Sequence, residues 1–435
     1  MASTTEYTSS DDGVASASTG GVRFVFHQLF LDHLQNTELP MDYSRPWTET
    51  KTKAAAGAVV VAGTLGYGTE MLLYHLFDIE KVGLLVGAVA AALTWDALGG
   101  VDKETPLNGG YDSKLIADKP SRLQAVLDFL NEPRQQTIDK MKVTSEAATV
   151  TASDGLHPQT MDMVLKVHDA SYVEALRTKC ASTDRPIRLN PTYSRTLVDQ
   201  YSFDAALAAA SSWMVAVDNA THDNDETLSA PLTFCLTRPP SHHACRAKGM
   251  GGCLLNSVAI AAFYALESGQ AKRVGILDVD AHHGNGIAHC VQDEPRISFV
   301  SIHEEVPKDG SSIFNSRERK EDDPRSSTDD DRGPLGNIRN LNLAPRSGWT
   351  EYQPNAQEAL TFLRKDCDLL LVAAGFDAME ADWSSSLRLR CEDYACLGRM
   401  IQDAFGTRVV MGLEGGYARQ AMPEAMKNLV EAWVD

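Results

Sequence analysis

Asp280 and His282 stand two residues apart just after an apolar run, so on an extended chain a carboxylate and an imidazole project to one side. A second carboxylate, Asp377, follows another apolar run far downstream. Two carboxylates and one imidazole make a three-ligand open site. Such a site suits a catalytic divalent ion, zinc above all, and leaves positions for water or substrate. Read alone, an Asp-x-His pair is more often a structural feature of a strand end; the glycines of His283-Gly284-Asn285-Gly286 and the distal Asp377 favour the ligand reading. His242 and His243 follow Arg238-Pro239-Pro240-Ser241, a loop that proline stiffens. A His pair alone is ordinary polar surface, but adjacent imidazoles beside a metal can divide two tasks, one taking a proton from water while the other orients and stabilises charge. Asp278 is placed to hold an imidazole nitrogen and set its tautomer, or merely to cap backbone amides. Tyr417 comes after Gly415-Gly416, which lets the chain turn sharply and carry a phenol toward a developing oxyanion. Without its companions it would read as turn packing.

These residues share a position. Four short apolar runs, 274–277, 297–302, 369–373 and 409–413, each end in polar residues: Asp278 to Gly286, His303, Gly375-Phe376-Asp377 and Glu414 to Tyr417. The runs read as buried strands, and the connections between them are long enough for crossovers, which predicts a parallel sheet. In open parallel sheets the site forms at the strand carboxyl ends. Residues 256–267 predict a helix with a polar start, and Leu123, Val126, Leu127 and Leu130 follow the spacing of an amphipathic helix. Residues 304–337 are polar and broken by Pro and Gly, too long for a tight connection, and read as a surface loop or a partly disordered one.

Forty Lys and Arg against 59 Asp and Glu leave a net charge of −19, which argues against direct nucleic-acid binding and suits cationic substrates. A chain 43% hydrophobic and 23% charged is globular in composition. The eight cysteines form no C-x-x-C pair in a chain too long to need disulfide staples, so they read as buried free thiols in a reducing intracellular compartment. Compartment and oligomeric state stay otherwise open.

The chain divides into three stretches. Residues 1–50 read as a polar, largely disordered tail with no secretory signal at its start. Residues 51–107 contain two apolar stretches, within 51–98, around a charged turn. They fit a helical hairpin of unknown role, either buried or associated with a membrane, although Glu70 and the shortness of the second stretch weigh against a full span. Residues 108–435 have the texture of an α/β enzyme.

Taken together, RPPSHHA (238–244), GMGGCLLNSVAIAA (249–262), DVDAHHGNG (278–286), AGFDA (374–378) and LEGGY (413–417) resemble the histone deacetylase superfamily in order and spacing. VHDASYVEAL (167–176) and the KPSRLQAV segment (119–126) look like its amino-terminal signatures. Asn285, where many nuclear members carry Asp, is similar to the class II, acetylpolyamine amidohydrolase and acetoin-utilisation branch. The resemblance implies an arginase/deacetylase-like α/β fold, with helices flanking a parallel sheet. It implies zinc-dependent hydrolysis of N-acetyl or longer acyl amides, in acetyl-lysine of proteins such as histones or in acetylated polyamines. It also implies Asp280, His282 and Asp377 as zinc ligands, His243 as general base and acid, His242 as its electrostatic partner and Tyr417 as oxyanion donor. Asp278 would orient His242, and Asn285 would sit behind His243. A structural potassium ion would be held by Asp278, Asp280, His282 and Ser301.

Several positions depart from the family pattern. Gly252 replaces a Phe that walls the acyl-lysine tunnel, which widens it. Residues 116–120 (IADKP) replace a rim motif, the loop at 190–193 lacks the customary Asp, and 379–386 is atypical except for Asp382. Two other readings stay open: a dimanganese ureohydrolase of the same fold, and a non-catalytic scaffold.

Overall fold

The computed structural model describes residues 22–26, 120–130, 141–145, 156–190, 196–221, 232–305 and 332–433. All of them fall in the unit made of Met1–Thr37 and Leu115–Asp435; the second unit, Glu38–Lys114, lies outside the described residues. In chain order the strands are β1 (Val22–Phe26), β2 (Met141–Ser145), β3 (Ile187–Arg188), β4 (Leu197–Val198), β5 (Leu232–Cys235), β6 (Val274–Asp278), β7 (Ile297–Glu304), β8 (Ile338–Leu343), β9 (Leu369–Ala374) and β10 (Val409–Leu413). The helices are α1 (Pro120–Leu130), α2 (Thr160–Val167), α3 (Ala170–Ala181), α4 (Ser202–Thr221), α5 (Ser257–Glu267), α6 (Asn285–Val291), α7 (Trp349–Arg364), α8 (Cys391–Phe405) and α9 (Met422–Val430).

Eight strands form one sheet in the order β2-β1-β5-β10-β9-β6-β7-β8, and every neighbouring pair is parallel. The short β3 and β4 pair antiparallel to each other. The central strands β6, β9 and β10 are buried at every residue, as expected of a parallel sheet covered on both faces. Alternate residues divide between two cores. Leu370 and Val372 of β9 join the core built with α7, α8 and α9, whereas Leu369, Leu371 and Ala373 join the one built with α4, α5 and α6. The result is an α/β/α sandwich of the arginase/deacetylase kind.

All four expected strands form, and the expected helix 256–267 is α5, whose cap Asn256 accepts the Ala259 N–H at 3.0 Å. The sheet is larger than the apolar runs suggested. β8 (IRNLNL) mixes polar and apolar residues at an edge, β2 is the other edge strand, and β5 spans only four residues. Val22–Phe26 requires a correction. It falls in the stretch read as a disordered tail, yet its β-branched and aromatic residues form β1, paired with β2 and β5. The boundary drawn at residue 50 therefore misses a strand of the sheet. The rest of 1–107, the hairpin-like 51–98 included, lies outside the described residues, as does most of the polar 304–337 connection. Among the described residues no helix is long and apolar enough to cross a membrane. All eight cysteines are free thiols, five of them buried.

From β6 the chain proceeds outward to β7 and β8, then returns to β9 and steps the other way to β10. The order reverses between β6 and β9. At such a switch point the loops leaving the two carboxyl ends part and open a crevice. Asp278, Asp280 and His282 follow β6, and Asp377 follows β9.

Candidate metal and catalytic site

Asp280, His282 and Asp377 meet in that crevice, with ligand-capable atoms all within 4.8 Å of one another. Both carboxylates are fully buried, while the His282 side chain keeps 31% of its exposure and faces outward. Nδ1 of His282 lies 2.9 Å from Asp377 Oδ2 and 3.0 Å from Asp280 Oδ1, and its Nε2 faces the Ser384 carbonyl at 3.2 Å. A neutral ring has one N–H, and Nε2–H pointing at Ser384 leaves a lone pair on Nδ1, aimed with two carboxylates at one spot. That donor set fits a divalent cation. Burial, followed by repulsion from Asp280, pushes the Asp377 carboxyl up to about 7, while Asp280, despite burial, is held low by the imidazoles of His242 and His282. The pair of carboxylates stores a repulsion that a cation relieves.

Backbone amides aim the carboxylates. Asp377 Oδ1 accepts the Ala281 N–H at 2.8 Å, and Asp280 Oδ2 accepts the Gly415 N–H at 2.7 Å. Gly415 must be glycine here: a Cβ would stand 2.4 Å from both Asp280 Oδ2 and Asp377 Oδ2.

His242 and His243 lie side by side, with ring centroids 3.9 Å apart, and the His243 ring is 6.2 Å from that of His282. Nδ1 of His242 meets Asp278 Oδ2 at 3.0 Å, whereas Nδ1 of His243 meets Asn285 Oδ1 at 2.7 Å. Burial works against a charged His242, but Asp280 and Asp278 outweigh it and raise its pKa to about 10. Ser301 is buried in register with Asp278 across the β6–β7 pair, and its hydroxyl lies 2.9 Å from His303 Nδ1. Tyr417 follows the Gly415-Gly416 turn beside the two carboxylates; its backbone N–H and that of Ala418 donate to Asp382. Its ring lies 5.8 Å from that of Trp383 and under the Arg122 guanidinium, 4.8 Å away. Of the nine residues singled out from the sequence, Ser301 lies within β7, Asp278 ends β6, Asn285 opens α6, and the other six lie on loops that follow β5, β6, β9 and β10.

A supporting layer escaped the sequence reading. Buried Arg122 of α1 donates to the carbonyls of Gly416 (2.6 Å) and Glu414 (2.5 Å). Glu414 accepts the N–H groups of Ser241 (2.6 Å) and His242 (3.1 Å) and the Ser241 hydroxyl, which tethers the two-histidine loop to the end of β10. A second convergence of ligand types, His242, Cys253 and Glu414, is thereby committed to protein hydrogen bonds. His168 bonds the Cys245 carbonyl through Nδ1 (3.0 Å) and receives the Asn256 N–H at Nε2 (2.9 Å). An acid directly after an all-apolar run was a usable signal for Glu414; a lone Arg on an apolar helix face offered none.

A cluster of residues able to hold a metal ion, hung at the switch point of a parallel sheet, is an arrangement suited to hydrolytic chemistry. The histone deacetylase domain model matches residues 116–433, so the chain belongs to the histone deacetylase family. An uncharacterized protein of Synechocystis is 37% identical over 54% of this chain and 70% of its own length. "Histone deacetylase 10, chloroplastic" of Oryza sativa is 26% identical over 75% of this chain and 71% of its own. The human "Polyamine deacetylase HDAC10" is 27% identical over 74% of this chain and 45% of its own. Acetylpolyamine aminohydrolase from Burkholderia pseudomallei superposes with a TM-score of 0.58 at 22% identity, covering 72% of this chain and 90% of its own, which shows the fold.

Proposed function

We propose that this protein is a zinc-dependent deacetylase that hydrolyses N-acetyl amides to acetate and free amine. Its substrate would be acetyl-lysine in a protein or an acetylated polyamine. The observation that carries the reading is the Asp280–His282–Asp377 cluster standing beside two imidazoles backed by different partners. Zinc held by those three residues would supply Lewis-acid polarisation of the amide carbonyl and of the attacking water.

The chain's own residues do the rest. His243, its Nδ1 turned to Asn285, would use Nε2 to take a proton from the attacking water and return it to the departing amine. His242, backed by Asp278, holds a positive charge beside it and stabilises negative charge that develops in the crevice. Tyr417 donates its hydroxyl to the carbonyl oxygen as that atom gains charge. The C–N bond breaks as the amine takes the proton from His243. A potassium ion held by Asp278, Asp280, His282 and Ser301 is part of the same proposal, supported by the side-by-side register of Asp278 and Ser301. The chain's net charge of −19 suits lysine-rich or polyamine substrates. Free thiols throughout and a relative named as chloroplastic support a reducing compartment inside a cell.

The test pairs metal analysis with acetate release from an acetyl-lysine peptide and an acetylated polyamine. One zinc per chain and chelator-sensitive release are expected. No release from the zinc-loaded protein would leave the scaffold reading standing, and two tightly held manganese ions would point to the ureohydrolase one.

A further inference from the structure

Trp383 is a large apolar side chain beside the site that the hydrolytic steps leave unused. It is 50% exposed, yet both of its neighbours in sequence are buried. Asp382 accepts the N–H groups of Tyr417 and Ala418, and its Oδ1 also takes the Ser384 N–H (2.9 Å) and hydroxyl (2.7 Å). The Ser384 carbonyl in turn faces His282 Nε2. The indole is therefore displayed from a turn braced on both sides by residues that touch the site, and its ring leans over Tyr417 at 44°. A single exposed apolar residue carries little meaning elsewhere on a surface. A fixed aromatic at the rim of a polar crevice is different, because it offers rigid apolar area at small entropic cost.

On the other side, beside His243, stand two glycines, Gly251 and Gly252. Residue 251 packs on the His243 ring, and at its neighbour Gly252 a Cβ would meet, among the described residues, only Pro240 Cγ, at 3.7 Å. Gly252 has φ +84°, a conformation that disfavours any side chain. Among the described residues, Trp383 thus offers an aromatic side chain on the His282–Tyr417 side, whereas positions 251 and 252 near His243 carry none.

Resting on the deacetylase reading, we propose that Trp383 is the specificity-determining wall of this site, stacking on the aliphatic chain borne by the amide nitrogen of the substrate. The direction follows from burial. Asp280 and Asp377, which mark where the carbonyl must sit, are inaccessible to solvent, whereas the indole faces outward. The part of the substrate alongside Trp383 is then the amine side, and the acyl group points inward.

The experiment compares wild-type, Trp383→Ala and Trp383→Phe zinc-loaded proteins on N-methylacetamide, N-pentylacetamide and an acetyl-lysine peptide, with hexanoyl-lysine peptide as the acyl-side control. In Trp383→Ala, KM should rise about tenfold for the pentyl and lysine substrates, equivalent to ~1.4 kcal/mol of lost apolar contact. The kcat should stay within about twofold, N-methylacetamide should be unaffected, and Trp383→Phe should restore most of the KM. An unchanged KM, an equal rise for the methyl compound, or a change tied only to acyl length overturns the proposal. Failure of the deacetylase reading shows separately, as no acetate from wild type. Calorimetric binding of N-pentylacetamide then decides: an affinity loss in Trp383→Ala supports the wall, and equal affinity overturns it.

Discussion

Asn285 places its amide oxygen 2.7 Å from Nδ1 of His243, where the neighbouring His242 has the carboxylate of Asp278 instead. The two imidazoles share one loop and nearly one location, yet one is backed by a neutral dipole and the other by a charge. A neutral acceptor fixes the tautomer of His243 without favouring its protonated form as a carboxylate would, which suits a group that must both take and give a proton.

Replacing Asn285 by Asp tests that division. A buried carboxylate at the same place stabilises the imidazolium, so the base form of His243 appears only at higher pH. The acid limb of kcat/KM against pH should move up by about one unit. His243→Ala should cost ~100-fold or more in kcat with the fold intact, because it removes the group assigned to move that proton. An unmoved acid limb in Asn285→Asp would separate Asn285 from the base.

Metal binding should register in stability as well as in rate. The ion would relieve the repulsion that raises Asp377, and binding to the folded state alone stabilises it by ~2.7 kcal/mol at a hundredfold excess over Kd. Zinc should therefore raise the melting temperature of wild type, and chelation should lower it. Asp377→Ala should abolish the zinc response. Gly415→Ala should weaken it, since the added methyl collides with Asp280 and Asp377 and spreads the ligands. Differential scanning fluorimetry with and without zinc reads all three.

The placement of the candidate site was legible in the sequence because it sits where apolar runs stop. Each of 274–277, 297–302, 369–373 and 409–413 is a largely apolar segment of a sheet covered on both faces, and polar residues that follow it lie at the carboxyl edge of the sheet. β1, β2, β5 and β8 were not legible for complementary reasons. β8 carries Arg339 and Asn340 at an edge, β5 spans four residues, and β1 is a five-residue segment amid polar sequence whose pairing partners lie more than a hundred residues away. Arg122 and His168 were not legible as site residues because they act on backbone carbonyls and amides, and only the folded chain decides which of those come near.

His168 makes stability depend on pH. Burial, partly offset by bonds to the Arg246 and Cys245 carbonyls, lowers its pKa from 6.5 to about 4. The unfolded chain therefore binds a proton on this residue at higher pH than the native protein. Its contribution to stability is full above about 6.5 and is lost as pH falls toward about 4, amounting to ~3 kcal/mol at most. His168→Gln offers a donor and an acceptor with no proton to gain. Urea unfolding at pH 7.0, 6.0, 5.0 and 4.5 should show a shallower acid loss in the variant; parallel curves would remove His168 from the account.

Arg122 shows how a residue distant from the chemistry sets the geometry of Tyr417. Its guanidinium donates to the Glu414 and Gly416 carbonyls on either side of Gly415 and lies over the Tyr417 ring. Gly415 is the residue whose N–H holds Asp280, and Glu414 holds the two-histidine loop, so one side chain anchors the strand-end turn on which three site elements converge. Arg122→Leu keeps the apolar packing of the stem but strands two buried carbonyls, at a cost of about 1–3 kcal/mol each. Activity should fall more than stability predicts. The expected result is a drop in kcat of ~10-fold or more at temperatures where circular dichroism shows the variant folded, with KM little changed and zinc still bound. Arg122→Lys, which can reach one carbonyl but not both, should lie between. If kcat in Arg122→Leu stayed at the wild-type value, the turn would be held by Asp382 alone.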